Sequence, residues 1–272
     1  MRGASYEGRY KFCFIRGLNM EQIEKCKVIS KTEIVNGVFD FTVENENIAK
    51  KTKCGQFLHI DCGDKSFLRR PISICDAFDD KVRFIFEVKG EGTKELSQKQ
   101  VGEYIDVLGP LGHGFEIKNY KNPLIIGGGI GIFPLFKLAK ELNSNANVFL
   151  GFRNKDRVCM EDEFDSVSKM CIVGTDDGSY GYNGYIANAM EHYIKNNPCD
   201  VIFSCGPMPM LKAVKGIAEE NGIECQISLE QRMGCGIGAC LVCVCESIFE
   251  GTNKYLRVCK NGPVFDSKVV KL

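Results

Sequence analysis

The feature that most constrains this chain is a group of cysteines near its C-terminal end. Five of its fifteen cysteines fall in the last 38 residues. Cys235, Cys240 and Cys243 are spaced C-x4-C-x2-C, and fifteen residues separate Cys243 from Cys259. This spacing is typical of a plant-type [2Fe–2S] cluster, in which one tight loop supplies three thiolates and a later strand or turn supplies the fourth.

The loop that carries the first two cysteines is rich in glycine, with Gly234, Gly236 and Gly238 at alternate positions. Glycine allows positive φ and lets backbone N–H groups come close to cluster sulfurs. Structural zinc usually takes C-x2–4-C pairs separated by a longer span, whereas three cysteines here fall within nine residues. Zinc and free buried thiols are the alternatives. Cys245 is a possible substitute ligand, but we interpret it as a thiol packed on the strand that leaves the loop.

The composition excludes several classes of protein. Lysine and arginine total 35, aspartate and glutamate total 35, and the formal net charge is zero, so nothing indicates nucleic acid or an anionic membrane. The chain contains no stretch of eighteen apolar residues that would predict a membrane span. Fifteen cysteines without an export signal predict a reducing cytoplasm and no disulfide framework. Residues 1–19 show no clear period, and residues 1–22 are expected to be an N-terminal extension.

The first half of the chain has the pattern of an antiparallel β-barrel. Short alternating apolar runs, bounded by Gly, Asn, Asp and Lys, predict five strands. One helix is expected among them, at Thr93–Lys99. The predicted strands are residues 27–34, 37–43, 55–62, 81–88 and 103–109.

The pattern changes at Pro123, where strands begin to alternate with helices of ten to fifteen residues. This alternation predicts a doubly wound α/β domain with a parallel sheet. Strands are expected at 123–129, 147–152, 171–177 and 200–206, and helices at 132–143, 158–169, 184–196 and 209–222. We therefore predict a barrel domain at 23–120, an α/β domain at 121–224 and a small cysteine-containing domain at 225–272.

Two segments of the barrel half are candidate phosphate sites. In Arg70-Pro71-Ile72-Ser73, proline fixes the backbone beside a guanidinium fork and a hydroxyl, which together suit a phosphate and a ring nitrogen. In the segment 89–93, glycines open a helix near Gly92 and Thr93, where N–H groups bind phosphate well. A solvated surface turn and a plain helix cap are the respective alternatives.

Further candidates follow the strands of the α/β half. Glycines at 127, 128, 129 and 131 come directly after a buried strand and permit a dinucleotide pyrophosphate near the helix start, although they do not form a complete G-x-G-x-x-G. A tight strand-to-helix turn without ligand is the alternative. Residues 175–179 and 205–208 also lie at strand ends, where ligands bind in open α/β sheets. Cys205 is alternatively a small buried side chain.

Taken together, these segments are more specific than any one alone. The R-P-x-S barrel, the G-E-G-T turn, G-G-G-I-G, C-G-P-M and MGCGIGACLVC resemble the ferredoxin reductase superfamily. The closest resemblance is to the electron-transfer subunits of NAD-dependent (class B) dihydroorotate dehydrogenases, over residues 24–272.

The resemblance implies an FAD in the barrel, NAD on the α/β domain and a [2Fe–2S] cluster. Arg70 would bind the FAD pyrophosphate. Ser73 would lie near the flavin ring and Cys205 near the nicotinamide, and Ser73 and Cys205 are the candidate catalytic residues. Glu87 would contribute only its backbone, because its carboxylate must turn away from the phosphates. The other implied FAD residues are Pro71, Ile72, Ile85, Phe86, Gly92 and Thr93; the other NAD residues are Gly127, Gly128, Gly129, Gly131 and Gly206; the cluster ligands are Cys235, Cys240, Cys243 and Cys259.

The implied function is an electron relay. Nicotinamide exchanges two electrons as hydride and the cluster passes one at a time, so a flavin between them acts as the converter. The family implies a separate FMN-containing catalytic subunit, in a heterotetramer with two copies of each subunit. It also implies a place in de novo pyrimidine (UMP) biosynthesis. Ile237, Leu241 and Val242 are candidates for the contact with that subunit, or they shield the cluster from water.

Three questions stay open at this point. Arg153 follows the second strand of the α/β half, so the residues do not distinguish NAD from NADP, and NAD is inherited from the resemblance. Within the superfamily, the alternative is the small subunit of an NADH-dependent ferredoxin:NADP reductase or a sulfide dehydrogenase, which has an aspartate in place of one cluster cysteine. From another class, a non-catalytic cluster carrier or redox regulator would bind FAD without turning over NADH.

Overall fold

The computed structural model describes residues 23–63, 66–251 and 254–272. The expected N-terminal extension, residues 1–22, lies outside the described residues. In the part of the chain that the structure describes, no helix has the length and apolar character needed to cross a bilayer.

The N-terminal half forms a closed six-stranded barrel in the order β1-β2-β5-β4-β3-β6, with every neighbouring pair antiparallel. The predicted barrel is therefore confirmed. Its interior is filled by alternate residues of the strands, including Phe41, Phe84 and Val107, because successive side chains of a strand point to opposite faces. The elements are β1 Ile23–Val35, β2 Val38–Glu44, α1 Glu46–Lys51, β3 Phe57–Asp61, β4 Arg70–Phe78, β5 Lys81–Glu87, α2 Glu91–Leu96 and β6 Tyr104–Leu111.

Helix α1 was not predicted from the sequence, because its six residues are too few for a helical period to be recognised. It begins at a capping residue, Asn45, whose side-chain oxygen accepts a hydrogen bond from the N–H of Ile48 at 2.9 Å. Lys50 and Lys51 lie in its last turn, where positive charge is favourable. Helix α2 was predicted two residues too late, since it starts directly after Gly90.

The second half forms a seven-stranded sheet in the order β10-β9-β8-β7-β11-β12-β15. The strands from β7 to β12 are parallel, as predicted, and β15 adds an antiparallel edge. The elements are β7 Pro123–Gly128, α3 Phe133–Glu141, β8 Asn147–Phe152, α4 Glu161–Ser166, β9 Met170–Thr175, β10 Tyr182–Asn183, α5 Ile186–Ile194, β11 Val201–Cys205, α6 Met208–Glu220, β12 Glu224–Ser228, β13 Val244–Glu246, β14 Tyr255–Arg257, α7 Val258–Asn261 and β15 Val264–Asp266.

Helices cover both faces of this sheet, which is the arrangement of a doubly wound fold. The apolar side of α3 shares one core with the barrel residues Val38, Cys75 and Ile85. The apolar sides of α5 and α6 belong to a second core on the other face. The barrel therefore packs against the α3 face of the sheet.

The cysteine-containing segment is attached to the same sheet at its edge. The boundary predicted near residue 225 falls inside β12, which pairs in parallel with β11. After a loop and the hairpin β13–β14, the chain returns through β15 to pair with β12. The segment of residues 229–263 is thus held between β12 and β15, which both belong to the α/β sheet.

Candidate functional site

The loop that contains Cys235 and Cys240 has the backbone conformation expected from its glycines. Gly236 has φ +71° and Gly238 has φ +82°, a backbone conformation that residues with a side chain rarely adopt. A Cβ at Gly238 would lie 2.6 Å from Cδ of Lys260. Arg257 donates a hydrogen bond to the carbonyl of Gly238 at 2.7 Å, so the helix α7 region holds the loop from outside.

A β-hairpin brings the two distant cysteines together. In the ladder between β13 and β14, Val244 pairs with Arg257. Cys243 comes directly before β13, and Cys259 lies in helix α7 directly after β14, so the two thiols meet at the open end of the hairpin. The N–H of Cys259 points at Sγ of Cys243 at 3.4 Å. The fourth cysteine therefore comes from a short helix, where a strand or turn was expected.

The four thiols are arranged as two pairs. Cys235 is within hydrogen-bonding reach of Cys240, and Cys259 is within reach of Cys243. Among the residues that the structure describes, no three Cys, His, Asp or Glu side chains form a group that could hold one metal ion. A [2Fe–2S] cluster takes two thiolates at each of its two irons, so the two pairs fit such a centre.

The loop also stabilises a thiolate at Cys235. Burial alone would raise the pKa of this thiol, but N–H groups of Ile237, Cys240 and Ala239 and the Cys240 thiol lower it to about 7. The distance from the N–H of Ala239 to Sγ of Cys235 is 3.2 Å. Thiolates are the form that binds iron, so these donors prepare the loop for a metal.

Cys245 lies apart from the two pairs. It sits in β13 opposite Leu256 and is buried in the apolar core below the hairpin. Burial raises the pKa of its thiol to about 11. Its environment is that of a packed thiol.

The candidate phosphate site in the barrel brings Arg70 and Gly92 together. Arg70 is the first residue of β4, and Gly92 is in the first turn of α2. A Cβ at Gly92 would lie 2.9 Å from both Nε of Arg70 and Oγ of Ser66. The guanidinium is anchored by donation to the carbonyl of Leu68. The absence of a side chain at Gly92 thus leaves a space that is bounded by Arg70 and by the first turn of α2.

Thr93 is engaged within its own turn. Its Oγ1 accepts from the N–H groups of Lys89 at 2.9 Å and Gly90 at 3.2 Å. The same hydroxyl donates to the carbonyl of Gly90 at 3.1 Å. Its role in the described structure is therefore that of a helix cap.

The other candidate flavin residues lie on two adjacent strands. Pro71, Ile72 and Ser73 follow Arg70 along β4, where Ser73 pairs with Phe57 of β3. Ile85, Phe86 and Glu87 end strand β5. The carboxylate of Glu87 forms an ion pair with Arg157, which comes from the α/β half. It therefore faces the α/β half, so a contact of Glu87 with a flavin would come from its backbone.

The glycines after β7 pack against the end of β11. A Cβ at Gly131 would lie 2.6 Å from the carbonyl oxygen of Cys205, and one at Gly206 would lie 3.0 Å from the N atom of Gly128. Close packing thus requires several of these glycines. Gly129 differs, because it has φ +54° and no heavy atom within 4 Å of an added Cβ. It is the position of the turn that a ligand can approach.

Cys205 is 2% exposed. Burial raises the pKa of its thiol well above the ordinary value, with Glu230 adding to the rise. The thiol is therefore protonated at neutral pH. It forms part of the surface where the ends of β7 and β11 meet, and it has no nucleophilic character.

The sequence did not single out His59, which the fold places against the cysteine loop. A Cβ at Gly236 would lie 2.7 Å from Nδ1 of His59. Arg157 and Lys140, which connect the α/β half to the barrel, were also missed. All three occur in segments without a recognisable motif, so only the distances in the folded chain identify them.

Comparison with known proteins agrees with this geometry. Residues 230–271 match the family model described as the iron-sulfur cluster binding domain of dihydroorotate dehydrogenase B. Residues 125–216 match the oxidoreductase NAD-binding domain. The structure is also similar to one solved for an NADH-dependent reduced ferredoxin-NADP oxidoreductase, with a TM-score of 0.81, 34% identity and coverage of 90% of this chain and 89% of that one.

Two curated relatives are both described as the electron transfer subunit of dihydroorotate dehydrogenase B (NAD(+)). The protein of Caldanaerobacter subterraneus subsp. tengcongensis is 41% identical over 242 residues, which are 89% of this chain and 95% of the relative. That of Lysinibacillus sphaericus is 40% identical over 259 residues, which are 92% and 98% of the two chains. Since the similarity extends over both halves and the cysteine segment, this chain belongs to the family of dihydroorotate dehydrogenase B electron transfer subunits.

Proposed function

We propose that this chain carries electrons from an FMN-containing dihydroorotate dehydrogenase subunit to NAD⁺, by way of a [2Fe–2S] cluster and FAD, in pyrimidine biosynthesis. One observation carries the proposal: the cysteine loop packs directly on the barrel through Gly236 and His59. His59 is in β3, which pairs with the strand that begins with Arg70. The expected cluster and flavin sites are therefore neighbours within one molecule, as electron transfer requires.

The cluster would be held by Cys235, Cys240, Cys243 and Cys259. Two thiolates would bind each iron, in the pairs described above. The N–H groups of the glycine loop stabilise the negative charge at Cys235. The hairpin β13–β14 brings Cys243 and Cys259 of the second pair together.

Arg70 would bind the pyrophosphate of the FAD, and the absence of a side chain at Gly92 would leave space for that pyrophosphate. Pro71, Ile72 and Ser73 would line the ring on one strand. Ile85, Phe86 and the backbone of Glu87 would line it on the next. When bound, the flavin supplies the exchange between paired and single electrons.

NAD would lie over Gly129, where the turn after β7 is open. Cys205 and Gly206 would contact the nicotinamide from the end of β11. The choice of NAD over NADP comes from the relatives, which are described as NAD(+) proteins.

The partner surface would be the exposed apolar residues next to the cluster ligands. Leu241 is 62% exposed and Val242 is 53% exposed, and such a patch is typical of a protein interface. Ile248 and Phe249, on the segment after β13, are exposed as well. Ile237 is half-buried and packs on the core, so its role is to support the loop. We expect two copies of each subunit in a cytoplasmic complex, where the fourteen described free cysteines stay reduced.

The test is reconstitution of NAD-dependent orotate formation from purified chains. We expect no activity from this chain alone and a large gain on mixing it with the FMN subunit. Val242→Asp should weaken this gain by at least tenfold, while Val101→Asp, a matched change at an exposed barrel residue, should not. Orotate formation by this chain alone would contradict the subunit assignment.

The solved ferredoxin-NADP oxidoreductase relative makes a second function worth testing in parallel. In that case, mixing with the FMN subunit gives no gain although the cluster is intact, and the chain instead reduces ferredoxin together with another partner. A carrier or regulator without catalysis is excluded if NADH bleaches the bound flavin. Each of the three functions thus predicts a different result.

A further inference from the structure

His59 is a buried histidine without a hydrogen-bond partner. Its residue exposure is 1%, and it lies in the middle of strand β3. Neither Nδ1 nor Nε2 has a hydrogen-bond partner among the described residues. An unpaired buried polar atom costs about 1–3 kcal/mol, so a polar side chain at this place needs a compensating contact.

The residues around the His59 ring indicate which side of the ring a hydrogen-bond partner would approach. Nδ1 faces Gly236 so closely that a Cβ there would lie only 2.7 Å away. Because Gly236 has φ +71° and no side chain, the imidazole edge lies directly against the backbone of the loop. Gly236 immediately follows Cys235. An N–H at Nδ1 would therefore point toward the loop that carries Cys235, on the cluster side.

The rest of the environment fixes the ring and keeps it uncharged. Arg69 donates to the backbone carbonyls of His59 at 3.3 Å and Asp106 at 3.1 Å, which ties β3 to β6. Burial, together with the positive charges of Arg69 and Arg70, lowers the pKa of His59 to about 4, while the backbone of Arg69 beside the ring acts in the opposite direction. A neutral imidazole has one N–H donor to offer, without adding a charge to the site.

We propose that His59 is a positioning residue for electron transfer, whose ring N–H donates a hydrogen bond to a sulfur of the cluster on the side of the loop 235–240. This inference rests on the proposed function, because it requires the cluster. It assigns His59 two effects. The hydrogen bond holds the cysteine loop on the barrel strand next to the flavin motif, and it raises the reduction potential of the cluster.

The direction of the second effect follows from charge. Reduction adds one electron, so the cluster sulfurs are more negative in the reduced state, and a donor stabilises that state more than the oxidised one. Hydrogen bonds to the sulfurs are one of the properties that set the potential of an iron–sulfur cluster. Removal of the donor should therefore make the potential more negative.

The first test is spectroscopic and uses the intact wild-type chain. The protein is labelled with ¹⁵N-histidine, its cluster is reduced, and pulsed EPR is used to look for nitrogen coupled to the cluster spin. We expect a coupled histidine nitrogen that disappears in His59→Gln and persists in His192→Gln. His192 is a matched control, because its ring is on the exposed face of α5 and contacts the carbonyl of Asn188 at 3.0 Å.

The second test is a redox titration of the cluster by EPR. His59→Leu should shift the midpoint potential to a more negative value. His59→Gln, which restores a donor, should lie closer to wild type. Iron and flavin are measured in each variant, so that midpoint potentials are compared only between proteins that contain both the cluster and the flavin.

The outcomes separate this inference from the proposed function. Absence of coupled histidine nitrogen in a wild-type chain with an intact cluster overturns the role of His59, as does an unchanged potential in a loaded His59→Leu. If His59→Leu fails to retain its cluster, the wild-type spectrum still decides. A chain that binds no [2Fe–2S] cluster at all refutes the proposed function itself.

Discussion

Cys243 and Cys245 are two residues apart, but they have different neighbours. Cys243 meets Cys259 across the end of the hairpin. Cys245 is packed in the core, opposite Leu256. Residue type alone does not distinguish these two thiols, and the register of β13 with β14 does.

We expect Cys235→Ala to abolish cluster binding, because one iron would lose one of its two protein thiolates. The same holds for the change of Cys240, Cys243 or Cys259. Cys245→Ala is the matched control and should retain about two irons per chain. Iron and acid-labile sulfide analysis of anaerobically purified protein measures both. The ligand assignment would be refuted if the Cys245→Ala protein lost its cluster and the Cys259→Ala protein kept it.

Arg70→Ala should weaken flavin retention while leaving the cluster intact. A hydrogen bond to a charged group contributes about 1.5–3 kcal/mol, which is roughly a tenfold to hundredfold change in the dissociation constant. Flavin content after gel filtration, and fluorescence titration with FAD, give the result. Lys94→Ala removes a charge from an exposed position of the same helix α2 and should have no effect. Equal flavin affinity in both variants would make Arg70 a surface residue.

At the scale of elements, glycine has two different roles in the α/β half. Gly131 lies in the turn after β7, where the carbonyl of Cys205 leaves no space for a Cβ. Gly216 is in the interior of helix α6, and nothing lies within 4 Å of an added Cβ. The first glycine is required by packing, whereas the second only increases the flexibility of the unfolded chain.

The same substitution should therefore have opposite effects at these two positions. Gly216→Ala should increase the free energy of unfolding by about 0.5–1 kcal/mol, because alanine favours a helix. Gly131→Ala should destabilise the protein and raise KM for NADH, since the ends of β7 and β11 must move apart. Denaturant unfolding and steady-state NADH oxidation with an artificial acceptor measure these effects. A stable Gly131→Ala with unchanged KM would show that the turn tolerates a side chain.

At the scale of the whole molecule, ion pairs cross between the barrel and the α/β half. Lys140 of α3 contacts Asp76 of β4 at 2.5 Å, and the Asp76 side chain is only 6% exposed. Arg83 of β5 contacts both Asp40 and Glu163. The pair Arg83–Asp40 lies within the barrel. The pairs Lys140–Asp76 and Arg83–Glu163 connect the two halves, where α3 packs on β4 and α4 contacts β5. They help to fix the distance between the two expected cofactor sites.

We expect Lys140→Met to reduce the free energy of unfolding by about 1–3 kcal/mol, since it leaves the buried carboxylate of Asp76 without its partner. The double variant with Asp76→Asn should recover part of this loss, because no unpaired charge remains. Chemical denaturation of all four proteins of the cycle gives the coupling. Lys212→Met, at an exposed position of α6, is the control. Additive effects in the cycle would mean that the pair does not connect the halves.

The sequence by itself determined the order of the parts. Alternation of period two predicts the barrel, alternation of strands with helices predicts the α/β sheet, and the C-x4-C-x2-C spacing with Cys259 predicts the cluster site. These features are local, because strand and helix periods and loop spacing act over a few residues. Strand β4 escaped prediction because its first residues, Arg70-Pro71, have the composition of a turn.

Only the tertiary structure decided which of these parts touch each other. Contacts such as His59 with Gly236, Lys140 with Asp76 and Glu87 with Arg157 join residues that are 64 to 177 positions apart. Such pairs follow from how the barrel, the sheet and the hairpin pack, and packing depends on the shapes of whole surfaces. A local pattern carries no information about its distant neighbour, so the environment of His59 became apparent only in the folded chain.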